Sequence, residues 1–214
     1  MAKTKRTAKP AKSASSTDRR EHVVARALEL AAERGWRHLS LGEIAEAAGL
    51  SLAELYELYP SKGAILAAFT RQIDAAALAG GVAEGESARD RLFEMLMRRF
   101  EALRPHKRAV EAILRESGAD PLNALCGAMR LARSMTWMLE AAGLESRGLM
   151  GRARVNGLAM VYAATMRAWL NDDTADMSRT MAVLDRRLRR AESLVEFLRP
   201  LDRRRQREAR AAAA

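Results

Sequence analysis

Residues 39–66, "LSLGEIAEAAGLSLAELYELYPSKGAIL", contain two short helical patterns on either side of a glycine. Ser40 and Ser51 are each followed three residues later by a glutamate, so each serine is expected to open a helix with a capping box. Gly49 stands between the two patterns, where a sharp turn needs a positive φ angle. The stretch therefore predicts a helix, a turn and a second helix, the arrangement that places the second helix in the major groove of DNA.

Helix-forming residues dominate the whole chain of 214 residues. Alanine, leucine, methionine, glutamate and arginine recur throughout, and only five residues are prolines. Because these residues have high helix propensity, we predict an all-α fold. Gly-containing segments and turn residues divide the chain into four parts. These are a basic arm, a helix-turn-helix module, a helical bundle and a basic tail, at 1–17, 18–75, 86–199 and 200–214.

The positive charge of the chain is concentrated at its two ends. The formal net charge is +10. Residues 1–20 carry seven basic side chains and one acidic one, and residues 199–214 carry six basic and two acidic ones, so these segments contribute +6 and +4. The segment between them is neutral. We expect the arm to be disordered, because it lacks large apolar residues, and to meet DNA phosphates.

The sequence has no signature of an enzyme, a metal protein or a membrane protein. Cys126 is the single cysteine, and the three histidines are not at zinc-ligand spacing. We find no phosphate-binding glycine loop and no nucleophile with a base at suitable spacing, so we predict no catalytic residue, no metal and no cofactor. No apolar segment is long enough to cross a membrane. We therefore expect a non-enzymatic cytoplasmic protein without integral membrane association.

The N-terminal helices resemble the signature of the tetracycline-repressor (TetR) family of bacterial regulators. The resemblance rests on "LSLGEIAEAAGLS", "LY", "YPSK" and "AIL", and it covers residues 20–70. It implies a DNA-binding transcriptional regulator, typically a ligand-responsive repressor. It also implies a homodimer on a palindromic operator in double-stranded DNA, with a C-terminal helical bundle that binds a small apolar effector and forms the dimer.

The TetR resemblance further implies roles for seven residues of the module. A serine hydroxyl, a phenol and an ammonium group can each bond a phosphate oxygen and fix the register on DNA. The alternatives are a plain helix cap for the serine, a packing role for the tyrosine and a solvated charge for the lysine. The phosphate-contacting residues are Ser40, Tyr56 and Lys62, and the base-facing residues are Ser51, Leu52, Ala53 and Glu57.

Acidic residues in the expected reading helix distinguish this module from a typical basic one. Over residues 21–70, four basic side chains stand against seven acidic ones, which gives a net charge of −3. Since cations supply most non-specific affinity for DNA, that role is expected to fall to the arm. Glu57 can accept a bond from the amino group of cytosine. In the alternative interpretation, Glu54 and Glu57 mark a helix that has lost operator recognition.

The C-terminal part resembles a second family. The segment 167–194, "RAWLNDDTADMSRTMAVLDRRLRRAESL", is similar to the ubiquinone (coenzyme Q) biosynthesis accessory proteins, with "WLNDD", "T" and "LDRRL" as its anchors. The similarity spans residues 150–195. Those relatives are helical lipid-binding proteins with the same overall fold as TetR regulators. The resemblance implies an alternative function, a lipid- or quinone-binding accessory protein that no longer recognises an operator.

Methionines and aromatic residues in the bundle predict an adaptable apolar ligand pocket, because flexible thioethers adjust to many ligand shapes. Ordinary core packing at helical spacing is the alternative for each of these residues. The last two predicted helices, 146–171 and 175–198, are rich in apolar residues and are expected to form the dimer interface. Asp172 and Asp173 are interpreted as caps. The predicted pocket residues are Met129, Trp137, Met138, Tyr162, Met166 and Trp169.

Overall fold

The computed structural model describes residues 12–81, 85–117 and 121–193 of the chain. Helices hold 82% of these residues and none of them lies in a strand, which confirms the all-α fold. The predicted tail at 200–214 and the predicted end of the bundle at 199 lie outside the described residues, as does the arm up to residue 11.

The observed helices follow the predicted order closely. A final helix, α9, covers residues 178–193, which is as far as the description extends. A short 3-10 helix, Arg104–His106, precedes α6. The other helices are α1 (Lys12–Arg34), α2 (Leu41–Ala47), α3 (Leu52–Leu58), α4 (Lys62–Ala79), α5 (Ala88–Leu103), α6 (Lys107–Ser117), α7 (Pro121–Ala141) and α8 (Gly148–Leu170).

The start of the first helix differs from the prediction. The sequence predicted a basic arm that extends to residue 17, but α1 begins at Lys12. Residues 12–17, predicted as part of a disordered arm, are therefore helical. Polar and basic residues can form the first turns of a helix when its later turns are anchored by buried residues such as Val23 and Ala27.

The chain forms two compact units whose limits differ from the predicted domains. Unit 1 is the described part of Met1–Phe69 together with Arg108–Glu116, and unit 2 is the described part of Thr70–Lys107 together with Ser117–Ala214. The predicted boundary at residue 75 therefore falls inside unit 2. Most of α6, which we predicted as part of the bundle, belongs to unit 1.

Unit 1 contains its own apolar core. Val23, Leu28 and Ile44 are buried, and so are Leu55 and Ile65. Each of these residues lies on the core-facing side of its helix. Burial of Ile44 and Leu55 therefore holds the short helices α2 and α3 in place. Helices of seven residues are not stable alone in water, and their stability here comes from this packing and from their caps.

Unit 2 has a larger core formed by α5, α7, α8 and α9. Met95, Phe100, Met138, Trp169 and Leu184 are among its fully buried side chains. Phe100 stacks on Tyr162 with ring centroids 5.0 Å apart, and the centroid of Trp169 lies 5.9 Å from that of Phe100. An aromatic cluster thus occupies the centre of unit 2.

Candidate nucleic-acid interface and a buried polar cluster

The turn between α2 and α3 has the geometry that the sequence predicted. Gly49 has a φ angle of 67°, a conformation that glycine adopts without steric cost. Both capping boxes are present. The Ser51 hydroxyl accepts a bond from the Glu54 amide at 3.2 Å, and the Glu54 carboxylate accepts one from the Ser51 amide at 2.9 Å. The position of α3 is therefore determined by local bonds as well as by its buried Leu55.

Helix α3 presents almost its whole surface to solvent. Within it only Leu55 is buried. Leu52 is 57% exposed and Tyr56 is 65% exposed, although such side chains usually avoid water. Ala53 and Glu57, both expected to face bases, are exposed as well. The packing alternative for Tyr56 therefore has no support in this geometry.

Glu54 has a structural role that explains one of the two unusual carboxylates. Its carboxylate also accepts a bond from the Ser51 hydroxyl at 2.8 Å. The bonds from Ser51 lower the pKa of Glu54, and nearby Arg19 acts in the same direction. Glu54 is thus the reciprocal half of a helix cap, and its presence does not indicate that α3 has lost its function. Glu57 has no such structural partner among the bonds described.

Lys62 lies in a more enclosed environment than the sequence indicated. Its ammonium group donates bonds to the carbonyl oxygens of Trp36 and Leu39, each at 2.6 Å, and to that of Arg37 at 3.4 Å. It also lies 5.0 Å from the centroid of the Trp36 ring. Burial lowers the pKa of Lys62, while Glu116 and Glu43 oppose this effect. The solvated-charge alternative is therefore wrong, because all three N–H groups are directed at the loop after α1.

Glu116 of α6 also bonds to the loop after α1. Its carboxylate accepts a bond from the Arg37 amide. Gly35 has a φ angle of 83°, which favours glycine, and a Cβ atom there would force the Glu116 carboxylate to shift. Sequence reasoning missed this contact because Arg37 and Glu116 are 79 positions apart in the chain.

Several basic side chains in the described part of unit 1 are already engaged. Arg26 pairs with Glu29 at 2.8 Å, and Arg34 lies 3.5 Å from Glu43. Arg20, which we counted with the arm, donates a bond to the Leu58 carbonyl at the end of α3 at 2.8 Å. These contacts leave α3 with an exposed surface that has little positive charge of its own.

The predicted pocket residues do not all lie together. Tyr162 and Trp169 are buried in the aromatic cluster, Met138 is buried and Met166 is half-buried. Met129 and Trp137 are 57% and 61% exposed, so they do not lie with the buried members of the predicted set. Both lie on the side of α7 opposite to its buried residues, because helical periodicity separates them from Met135 and Met138.

A buried ion pair lies beside the aromatic cluster, and sequence reasoning missed it. Arg99 of α5, 5% exposed, pairs with Asp74 of α4. The Ser134 hydroxyl donates a bond to the same carboxylate at 2.7 Å. The Arg99 guanidinium lies 5.1 Å from the centroid of the Tyr162 ring. These residues come from four different helices, and no local pattern connects them.

Two donors in this cluster have no hydrogen-bond acceptor among the described residues, namely Tyr162 Oη and Arg99 Nε. Burial raises the pKa of the Tyr162 phenol, although the Arg99 guanidinium acts in the opposite direction. The phenol therefore stays protonated and able to donate at neutral pH. Buried donors without acceptors are rare in folded proteins and call for an explanation.

Asp172 caps the start of the segment that leads into α9, as predicted. Its carboxylate accepts bonds from the amides and hydroxyls of Thr174 and Thr180 at 2.6–3.2 Å. Burial raises the pKa of Asp172, but these four bonds outweigh burial and lower it to about 2. Asp173 instead pairs with Lys107 at 2.9 Å.

The protein contains a helix, a glycine turn and an exposed second helix, which is the arrangement of helix-turn-helix proteins. The model of a family described as "Bacterial regulatory proteins, tetR family" matches residues 23–69, and the COQ9 family model matches residues 129–195. These matches confirm both resemblances drawn from the sequence. The helix-turn-helix module thus matches the tetR family model, and the COQ9 match begins earlier than the span 150–195 compared from the sequence.

Solved structures of regulators share the fold of the chain. A TetR regulator from Nitrosomonas europaea is 23% identical with a TM-score of 0.66, covering 81% of this chain and 97% of that one. One from Rhodococcus sp. RHA1 is 23% identical with a TM-score of 0.56, covering 80% and 97%. One from Streptomyces coelicolor is 20% identical with a TM-score of 0.57, covering 88% of each chain. At this level of identity the likeness establishes the fold. No curated protein matches the chain.

In the described segments, no group of three or more histidine, cysteine, aspartate or glutamate side chains is arranged to hold a metal ion. None of the described helices is both long enough and apolar enough to span a bilayer.

Proposed function

We propose that this protein is a DNA-binding transcriptional regulator of the TetR type. The exposed surface of α3, held by a doubly bonded cap inside the segment that matches the tetR family, carries the proposal. Exposed Leu52 and Tyr56 suit a DNA groove, which provides thymine methyls and phosphates. Tyr56 and Ser40 contact phosphates, and Leu52, Ala53 and Glu57 face bases.

Two of the expected contacts compete with bonds inside the protein. Ser40 Oγ donates to Glu43 at 2.8 Å, so a phosphate would have to replace that carboxylate as its acceptor. Lys62 would have to release a loop carbonyl before it could bond a phosphate. We therefore assign phosphate binding at these two positions a smaller contribution than at Tyr56, whose hydroxyl is exposed.

The experiment is selection of random DNA duplexes by the purified protein. One enriched palindrome is expected, because a homodimer presents two reading helices related by two-fold symmetry. Glu57→Ala should change the preferred base at one position of each half-site. Glu46→Ala on α2 is the matched control, since this exposed glutamate lies outside the reading helix and should leave the selected sequence unchanged. A selection without any enriched sequence would contradict the proposal.

The basic arm supplies the cations that unit 1 lacks. Residues 1–11 include four lysine or arginine side chains that precede α1. Deleting residues 2–11 should lower DNA affinity and reduce the slope of log affinity against log salt by about 0.9 for each lost phosphate contact. The selected sequence should remain the same, because base contacts belong to α3.

As a repressor that responds to a ligand, the protein would bind its effector at the cluster of Arg99 and Tyr162. Asp74 neutralises Arg99, so the cluster does not demand an anion. Two donors without acceptors beside three aromatic rings instead favour a neutral apolar molecule that carries a carbonyl oxygen.

Benzophenone is a suitable probe for this site, and diphenylmethane is the control with the same two rings but no carbonyl. Tyr162→Phe should weaken benzophenone binding and leave diphenylmethane binding unchanged. This variant should fold normally, because it removes only a hydroxyl that has no protein partner. Equal binding of both probes to the wild-type protein would contradict a carbonyl-binding role.

The COQ9 match over residues 129–195 favours a second candidate function, a lipid- or quinone-binding accessory protein. In that case lipid or quinone should be extracted from the purified protein, and the DNA selection should enrich nothing. Enrichment of a palindrome together with effector-dependent release would instead support the regulator.

A further inference from the structure

The two ends of helix α3 are held in different ways. At its start, Ser51 and Glu54 bond to each other through the capping box. At its end, the chain leaves the helix at Tyr59, whose backbone is extended, and Pro60 follows. The last carbonyl groups of a helix have no partners within that helix, so they depend on donors from other parts of the protein.

Arg20 of α1 supplies such a donor at the end of α3. Its guanidinium group donates a bond to the Leu58 carbonyl at 2.8 Å and lies 5.5 Å from the centroid of the Tyr59 ring. In return, the Tyr59 hydroxyl donates a bond to the Arg20 carbonyl at 3.2 Å. A cation is also favourable beside the negative end of a helix dipole. Both the side chain and the backbone of Arg20 therefore tie α1 to the C-terminal end of α3.

The packing of α1 directs Arg20 onto this end. Val23, Val24 and Ala27 follow Arg20 by three, four and seven positions, and all three are buried. These intervals place Arg20 on the core-facing side of α1. The neighbouring Arg19 leaves the helix about 100° away, because consecutive residues are separated by this angle. Of the two arginines, Arg20 is thus the one whose direction is set by the core of unit 1.

The orientation of α3 determines which bases its side chains can reach. The helix has seven residues, so it is about 10 Å long and a small shift at one end tilts the whole helix. Recognition groups have to be held to within about 0.5 Å of their working positions. Leu52 and Glu57, which we propose to face bases, lie near opposite ends of α3. Consistent reading of one sequence therefore requires that both ends are fixed.

We infer that Arg20 is a positioning residue for base recognition, because it holds the C-terminal end of α3 in place. The inference rests on the proposed function and adds to it a residue outside the reading helix. Arg20 then acts on sequence preference. A cation that contacts phosphates would instead strengthen binding to every sequence alike.

The experiment compares Arg20→Met with the matched control Arg19→Met. Each variant removes one positive charge from adjacent exposed positions of α1, so the loss of long-range attraction to DNA is the same. Methionine keeps an apolar chain that can lie on the Tyr59 ring, so the melting temperature should stay close to that of the wild type. Only Arg20→Met removes the donor to the Leu58 carbonyl.

The quantity to measure is the ratio of two affinities, one for the palindrome selected by the wild type and one for a duplex of unrelated sequence. Arg20→Met should lower this ratio at least about tenfold, which corresponds to the loss of one base contact. Arg19→Met should leave the ratio unchanged. A role in stability alone would reduce the folded fraction and so lower both affinities equally, without any change in the ratio.

Amide hydrogen exchange gives a second readout that does not involve DNA. The Tyr59 amide donates the last bond of α3, to the Leu55 carbonyl at 2.7 Å. This amide should exchange several-fold faster in Arg20→Met than in Arg19→Met, because the end of the helix opens more often without its donor.

Three results would overturn the inference. A ratio that is unchanged in Arg20→Met, or that falls equally in both variants, would show that Arg20 does not position α3 for reading. Equal exchange of the Tyr59 amide in both variants would show that Arg20 does not hold the end of the helix. Either of these results leaves the regulator intact. A wild-type protein that enriches no palindrome would overturn the inference and the proposed function together.

Discussion

Units 1 and 2 use their charged side chains in opposite ways. In unit 1, Glu43 and Glu54 remain in water and bond to the serine that begins their own helix. In unit 2, Asp74 and Arg99 are withdrawn from water and bond across helices that are distant in sequence. A surface bond exchanges with water and contributes modestly, whereas a buried charge depends on its partner.

The two units balance stability against solvent exposure in different ways. Unit 1 keeps α3 exposed by fixing it through several weak local bonds and one buried leucine. Unit 2 is held by a large core that contains a few polar groups with strict partners. Substitutions should therefore have graded effects, largest at the buried pair of unit 2 and smallest on the exposed surface of α3.

The largest effect is expected at the buried pair. Asp74→Asn removes the charge that compensates Arg99 and should lower the free energy of unfolding by about 3–5 kcal/mol. Urea denaturation measures this loss. The double variant Asp74→Leu with Arg99→Met removes both charges and should recover most of the stability. A double variant as unstable as the single one would show that the pair is not the source of the effect.

Asp172 should give the next largest effect, with a distinct pH dependence. Asp172→Asn weakens bonds from Thr174 and Thr180 and should cost about 1–3 kcal/mol at neutral pH. The pKa of Asp172 falls from 3.8 to about 2 on folding, so its contribution is complete above pH 3.8 and is lost as the pH falls towards 2. Melting curves of both proteins should therefore converge in acid. A constant difference between pH 5 and pH 2 would contradict this role.

The cap of α3 should have a smaller effect. Ser51→Ala removes the acceptor for the Glu54 amide and should cost about 1 kcal/mol of unfolding free energy. Ser51→Asp restores a side-chain acceptor and should be close to wild type in thermal denaturation. DNA affinity should decrease in Ser51→Ala beyond the loss of stability only if Ser51 also faces a base.

The smallest change in stability is expected at Tyr56. Tyr56→Phe removes an exposed hydroxyl and should change the unfolding free energy by less than about 0.5 kcal/mol. It should still weaken operator binding several-fold, through the loss of one phosphate bond. Tyr59→Phe is the matched control, because the buried Tyr59 hydroxyl donates to the Arg20 carbonyl and its loss should reduce stability first. Unchanged operator affinity in Tyr56→Phe would remove Tyr56 from the interface.

The amino-acid sequence by itself determined the helices and the capped ends of α2 and α3, because these depend on near neighbours. Ser40 and Ser51 cap through residues three positions away, and Gly49 adopts its turn because it has no side chain. Ser87 begins α5 in the same way, because its side chain accepts a bond from the Asp90 amide three residues later.

Only the tertiary structure decided which of these residues are accessible. Only the folded loop after α1 shows that the Lys62 ammonium group donates hydrogen bonds to the carbonyl oxygens of that loop. Met129 and Met138 are both methionines of α7 with a similar local pattern, yet Met129 is exposed and Met138 is buried. Helical periodicity says that two residues lie on different sides, but the side that faces the core is fixed by contacts with helices far away in sequence.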